Sequence, residues 1–71
     1  MLEKDSGSIS VTKRELTILQ KVAAGLTTPQ IAAEFGLSPE TVKWYRKHLL
    51  TKFSAVNSAE MIRKAISAHI L

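Results

Sequence analysis

The stretch TTPQIAAEFGLSPETVKWYRKHLLTKF, residues 27–53, holds two helical patterns on either side of a glycine turn, and its reading decides the fold. Thr27 or Thr28 can cap a helix start, Pro29 is tolerated only in a first turn, and Gln30 can close a capping box with Thr27. The short helix that follows turns Ile31, Ala32 and Phe35 inward and stops at Gly36, which suits a left-handed C-terminal position. After Gly36-Leu37-Ser38, three start signals coincide: the Ser38 hydroxyl as cap, Pro39 in the first helical position, and the acid Glu40 near the positive helix end. Helical spacing then directs Val42, Tyr45, Leu49, Leu50 and Phe53 inward. It leaves Glu40, Lys43, Trp44, Lys47 and Thr51 on the opposite side.

Upstream, Thr12-Lys13-Arg14-Glu15 forms a second capping box, with Val11 and Leu16 able to staple across it. Leu16, Leu19, Val22, Ala23 and Leu26 recur at three- and four-residue spacing, which predicts a first helix from Lys13 to near Ala24, ended by Gly25. Downstream, Asn57-Ser58-Ala59-Glu60 offers a cap for a last helix that turns Met61, Ile62, Ala65, Ile66 and Ile70 inward and runs to the chain end. Met1–Ser10, with Ser6-Gly7-Ser8 inside it, has no apolar periodicity and reads as a flexible leader or the end of an interdomain linker. The domain is therefore expected over residues 11–71. No segment alternates in strand fashion for long enough to matter, and the fold class is all-α, with four helices.

A chain of 71 residues makes one domain, and one this small buries only about 60% of the surface its unfolded form exposes, so every helix must serve one core. The apolar fraction of 45% and charged fraction of 23% suit a folded globular domain and not a disordered chain. The absence of cysteine excludes a disulfide framework and a cysteine-based zinc site, and fits a reducing compartment, with cytoplasm as the default. Neither a signal-peptide apolar run nor a membrane-spanning stretch is present. The net charge of +4 is concentrated. Between Thr41 and Phe53 lie Lys43, Arg46, Lys47 and Lys52 with no acid, while the other basic residues are balanced by acids. Such a stripe suits a surface that tracks phosphates, where cations displace condensed counterions. Read alone, it is equally a solvated lysine face.

Two short helices around a glycine turn are the signature of a helix-turn-helix, whose second helix enters the major groove of DNA. Many helical bundles share that bare pattern. Here, however, the helix after the turn is also the one that carries the net charge. The residues Thr12, Glu15 and Leu19, Gly25-Leu26, Ile31-Ala32, Ser38, Thr41-Val42-Lys43, Lys52, Asn57 and Glu60 carry a closer likeness. Through them the chain from Val11 to Ile70 resembles the LuxR/FixJ-type, also called NarL-type, C-terminal DNA-binding domain of bacterial response regulators and quorum-sensing regulators. The resemblance implies that the third helix is a recognition helix and that the fourth supports a dimer. It also implies that Lys43, Trp44 and Lys47 face the groove. Three positions depart from the family: Tyr45 replaces a His, Phe53 a Leu, and Ser54 a Gly. Losing glycine at Ser54 predicts a differently shaped end to the third helix.

Lys47 is the first candidate for base readout, through guanine O6 and N7, with Lys43 touching a phosphate or a base. Trp44 can pack on a thymine methyl or sugar, or it can cover the neighbouring helix. Phosphate contacts are expected from Thr28, Gln30, Ser38, Thr41, Arg46 and Lys52, although capping competes for the hydroxyls and for Gln30. Met61, Lys64 and Ala68 lie along one side of the last helix and are candidates for a weak homodimer that strengthens on paired half-sites. RNA polymerase is a further partner that this reading admits. Enzyme chemistry finds no support. His48 and His69 lack a partner at zinc spacing and read as surface residues, no serine sits in a Gly-x-Ser-x-Gly turn, and no glycine loop could cradle a phosphate. No catalytic residue, metal, cofactor or small-molecule ligand is expected. The competing readings are a sigma-factor-like module, which would need core polymerase, and a helical protein-interaction module, which would show little salt-dependent affinity for DNA.

Overall fold

The capping signals become helices where the spacing places them. A computed structural model describes residues 9–71, with α1 at Lys13–Ala23, α2 at Thr28–Phe35, α3 at Pro39–Lys52 and α4 at Ser58–Ser67. Among the described residues there is no strand, so the all-α expectation holds. Both predicted boxes at α1 and α2 close. The Thr12 hydroxyl accepts the Glu15 N–H at 3.1 Å while the Glu15 carboxylate accepts the Thr12 N–H at 2.8 Å, and Thr27 and Gln30 exchange the same pair of bonds. Ser38 and Asn57 cap α3 and α4 through the backbone N–H groups of Thr41 and Glu60.

All four helices end in one way, with a left-handed residue at the cap of α2 and just after the cap of the others, and a six-residue backbone bond closing behind it. After α1 and α2 that residue is Gly25 and Gly36, and the closing bonds run from Leu26 to Lys21 and from Leu37 to Ala32. After α3 and α4 it is Ser54 at φ 51° and His69 at φ 60°, with bonds from Ala55 to Leu50 and from Ile70 to Ala65. The expected change of shape at Ser54 therefore does not occur. Two backbone bonds at its flanks hold the left-handed turn without glycine, at a steric cost of about 1–2 kcal/mol. The last helix stops at Ser67 and does not reach the chain end, because the His69 turn terminates it.

The core takes residues from every helix: Ile18, Leu19 and Val22, Ile31 and Ala32, Val42, Leu49 and Phe53, and Met61 and Ala65. α3 is central and packs on the other three. The phase of α1 differs from the apolar spacing. The buried row is Glu15, Ile18, Leu19 and Val22, so Ile18 replaces Ala23, which is exposed, and Leu16 is only half-buried. On α4, Ile66 was expected inside and is 55% exposed. The leader assignment falls largely on residues 1–8, outside the described residues. Ile9, assigned to it, packs against the core, and the Ser10 carbonyl accepts the Lys52 ammonium at 2.8 Å. No described helix is long and apolar enough to cross a membrane.

Candidate nucleic-acid interface

Because α3 buries Val42, Leu49 and Phe53 against the other helices, the helix cannot roll, and its opposite face is fixed outward. Glu40, Lys43, Trp44, Lys47 and Thr51 are all exposed on it. Lys43, Trp44 and Lys47, with Thr28 from α2 and Arg46, border one open depression of about 460 Å³. These are five of the residues expected to touch DNA, drawn from both helices of the helix-turn-helix. Glu40 borders it too; it was read as a helix-end acid on the outward face and given no part in DNA contact. Its spacing of three, four and seven residues from Lys43, Trp44 and Lys47 already marked it as a neighbour, and a carboxylate there can accept from cytosine N4.

Among the described residues, neither Lys43 nor Lys47 has a carboxylate at ion-pair distance. The other expected phosphate contacts are partly committed. Gln30 gives its amide oxygen to the Thr27 N–H at 2.8 Å, which leaves its NH2 group to donate. Ser38 and Thr41 share a hydroxyl bond at 2.9 Å at the capped start of α3. Arg46 donates from Nη2 to the Ser58 hydroxyl at 3.1 Å, tying α3 to α4.

Lys52 is a different case. Its Nζ lies 2.7 Å from Glu15 Oε1 while also donating to the Ser10 carbonyl, so it neutralises a buried acid and does not point to the helix face that carries Lys43 and Lys47. Burial pushes the Glu15 carboxyl up, but the bonds from Lys52 and from the Thr12 N–H, with the charges of Lys52 and His48, outweigh it and hold the carboxyl below its ordinary value of 4.5. His48, read as a free surface residue, is half-buried with Nε2 at 3.2 Å from Glu15 Oε2. Its ring lies under the indole of Trp44, with centroids 4.8 Å apart and planes 10° from parallel. Trp44 is 58% exposed and stacks on His48 of its own helix. Local charge counting missed this trio because its acid lies on α1, far away in sequence.

The dimer candidates do not form one exposed patch. Met61 is fully buried in the core, where α4 must anchor, and cannot meet a second chain. Lys64 donates to the Ser54 carbonyl at 2.8 Å, and Ala68 is the exposed C-cap. The apolar surface of α4 lies on another side, where Ile66 is exposed and Ile62 is half-exposed. No group of three or more metal-ligating side chains gathers among the described residues.

A family model described as bacterial regulatory proteins, luxR family, matches residues 9–65. The transcriptional regulatory protein UhpA of Escherichia coli K12 is 43% identical over 54 residues, 76% of this chain and 28% of that protein. The response regulator ChrA of a heme-sensing two-component system superposes with a TM-score of 0.83 at 30% identity, over 90% of this chain and 32% of that one. VqmA of Vibrio cholera, solved with ligand and DNA, gives a TM-score of 0.81 at 26% identity, over 99% of this chain and 31% of that one. This chain thus spans between 28% and 32% of the length of each. The chain belongs to the LuxR family of bacterial regulatory proteins, as a helix-turn-helix DNA-binding domain of a regulator and not an enzyme.

Proposed function

We propose that this domain binds double-stranded DNA sequence-specifically by laying α3 in the major groove, as the output domain of a longer bacterial transcriptional regulator of response-regulator or quorum-sensing type. The observation that carries the reading is the outer face of α3. It presents Lys43 and Lys47 without acidic partners among the described residues, with Trp44 between them, on a helix locked in place by its buried side. Lys47 reads a base edge, with guanine the expected partner, Lys43 meets a phosphate or a base, and Trp44 meets a thymine methyl or sugar. Thr28, Gln30, Ser38, Thr41 and Arg46 contact phosphates and set the register. Lys52 supports the fold from behind. The domain works in the cytoplasm, where the DNA is, and RNA polymerase is its further partner.

A weak homodimer forms on paired half-sites about one helical turn apart. Its contact moves from Met61, Lys64 and Ala68 to the side of α4 that exposes Ile66 and Ile62. Selection of bound duplexes from a random pool, followed by salt titration of the best site against scrambled DNA, tests the reading. Paired half-sites with a steep salt dependence are expected. No enrichment and no affinity at low salt would leave the domain as a protein-interaction module.

A further inference from the structure

Trp44 is the single tryptophan of the chain, and an exposed indole on a helix face has no reason to hold one rotamer unless something below fixes it. Here three groups in series do so. The buried Glu15 carboxylate is itself immobilised through Oε1 by the Thr12 N–H and the Lys52 ammonium. That leaves Oε2 to His48, whose Nε2 lies 3.2 Å away. The imidazole then lies flat beneath the indole, one helical turn on, while the Tyr45 ring meets Trp44 edge-on with centroids 5.2 Å apart. A buried carboxylate on α1 is thereby linked to the outermost aromatic of α3.

We propose that His48 is a positioning residue for DNA readout: without touching a base, it holds the Trp44 indole at one angle over the groove and so narrows the preference at a single base step. This rests on the reading that the face binds DNA. A side chain ordered before binding loses less entropy on binding, and a rigid ring tolerates fewer base shapes than a mobile one. A stacked aromatic pair accounts for a factor of about two to ten in the ordered population. Glu15 and Lys52 complete the support from within the fold.

The test combines His48→Gln, which keeps an amide near Glu15 but removes the ring, with Trp44→Ala and the double variant. In the free chain, H48Q is expected to raise acrylamide quenching of Trp44 roughly twofold, because a released indole is more accessible. On the selected site, H48Q should reduce the preference at one base step about fivefold, as W44A does. The double variant should lose no more than W44A alone. His48→Phe, which restores a ring without the contact to Glu15, should return quenching and preference part of the way toward wild type, the remainder being the share held through Glu15, even if it lowers stability. Unchanged quenching in H48Q, losses that add to those of W44A, or no rescue by Phe would each overturn the proposal. If the wild-type chain enriches no DNA, the readout role falls with the DNA reading. Quenching of the free chain then still decides whether His48 holds Trp44.

Discussion

Lys43 and Lys47 differ from Lys52 in nothing that composition can register: all three are lysines of one helix, within a run that contains no acid. In the folded domain they part completely. The first two project from the exposed face beside Trp44, while Lys52 turns back to a buried carboxylate contributed by α1. A stripe of like charges is thus a sum over two populations. One is held by the fold, and one is left for a polyanion. The difference is made by Glu15, which burial of Ile18 and Leu19 carries into the domain along the same helix row.

The largest effect should come from the held population. Lys52→Met leaves Glu15 buried without its cation, and removing one partner of such a pair costs about 2–3 kcal/mol. The estimate is taken below the range for fully buried pairs because the Lys52 side chain keeps 28% of its exposure. For a domain of this size that corresponds to a fall in Tm of roughly 10–20 °C. The slope of log K against log salt on DNA should stay unchanged, whereas Lys43→Ala should reduce it by about one. Thermal melts and a salt titration of the same variants decide the matter. A Lys52 variant with normal Tm and a slope reduced by one would place Lys52 among the phosphate contacts and erase the distinction.

Next comes the free population. Lys47→Ala should leave the thermal midpoint nearly unmoved and cost about 1–3 kcal/mol at one base position. Competition between the selected site and its single-base variants measures this. A loss spread evenly over all sequences would mean that Lys47 contacts phosphate only.

Acid separates the two populations by a different route. The Glu15 carboxyl sits below its ordinary value of 4.5 in the fold. The stability it contributes is therefore present above pH 4.5 and is lost as pH falls through the lowered folded value. One carboxyl changes stability by no more than about 1.4 kcal/mol per pH unit. In Lys52→Met the force that raises the carboxyl, burial, remains while the largest lowering force is gone. Acid unfolding followed by circular dichroism should therefore begin at higher pH in that variant. Lys47→Ala should unfold with the wild type, and a parallel shift in both would mean that Lys52 is not special to Glu15.

The fold was legible wherever local chemistry decides it. The boxes at Thr12-Glu15 and Thr27-Gln30, the proline starts and the two glycine stops place α1, α2 and α3 to within a residue. The outward set Lys43, Trp44 and Lys47 followed from helical phase alone. What escaped depends on partners distant in the chain. Ile18 and Glu15 take the buried row of α1 because α3 and α4 lie there. Ile66 goes to the surface, although Met61 takes the core place its spacing predicts, because α4 is rolled by its packing and cut short by the His69 turn. Ser54 adopts a glycine-like conformation because its neighbours' backbone bonds hold it. Apart from Ser54, whose turn is closed by bonds within five residues, none of these can be read from a residue and its nearest few neighbours.

Arg46 stands between the two populations and gives the smallest effect. It donates to the Ser58 hydroxyl and also borders the depression beside Lys43 and Lys47, so its guanidinium, with five donors, can serve both at once. Ser58→Ala removes only the internal partner. It should lower stability by about 0.5–1 kcal/mol, the net worth of a hydrogen bond to a charged group that remains open to water, and it should leave the salt slope as it was. Arg46→Ala should lower stability by a similar amount and also flatten the slope, by less than one. Urea melts and salt titrations on both variants separate the contributions. If Ser58→Ala steepened the slope instead, the hydroxyl would be competing with phosphate for Arg46, and the guanidinium would belong with the free lysines, held back only until DNA arrives.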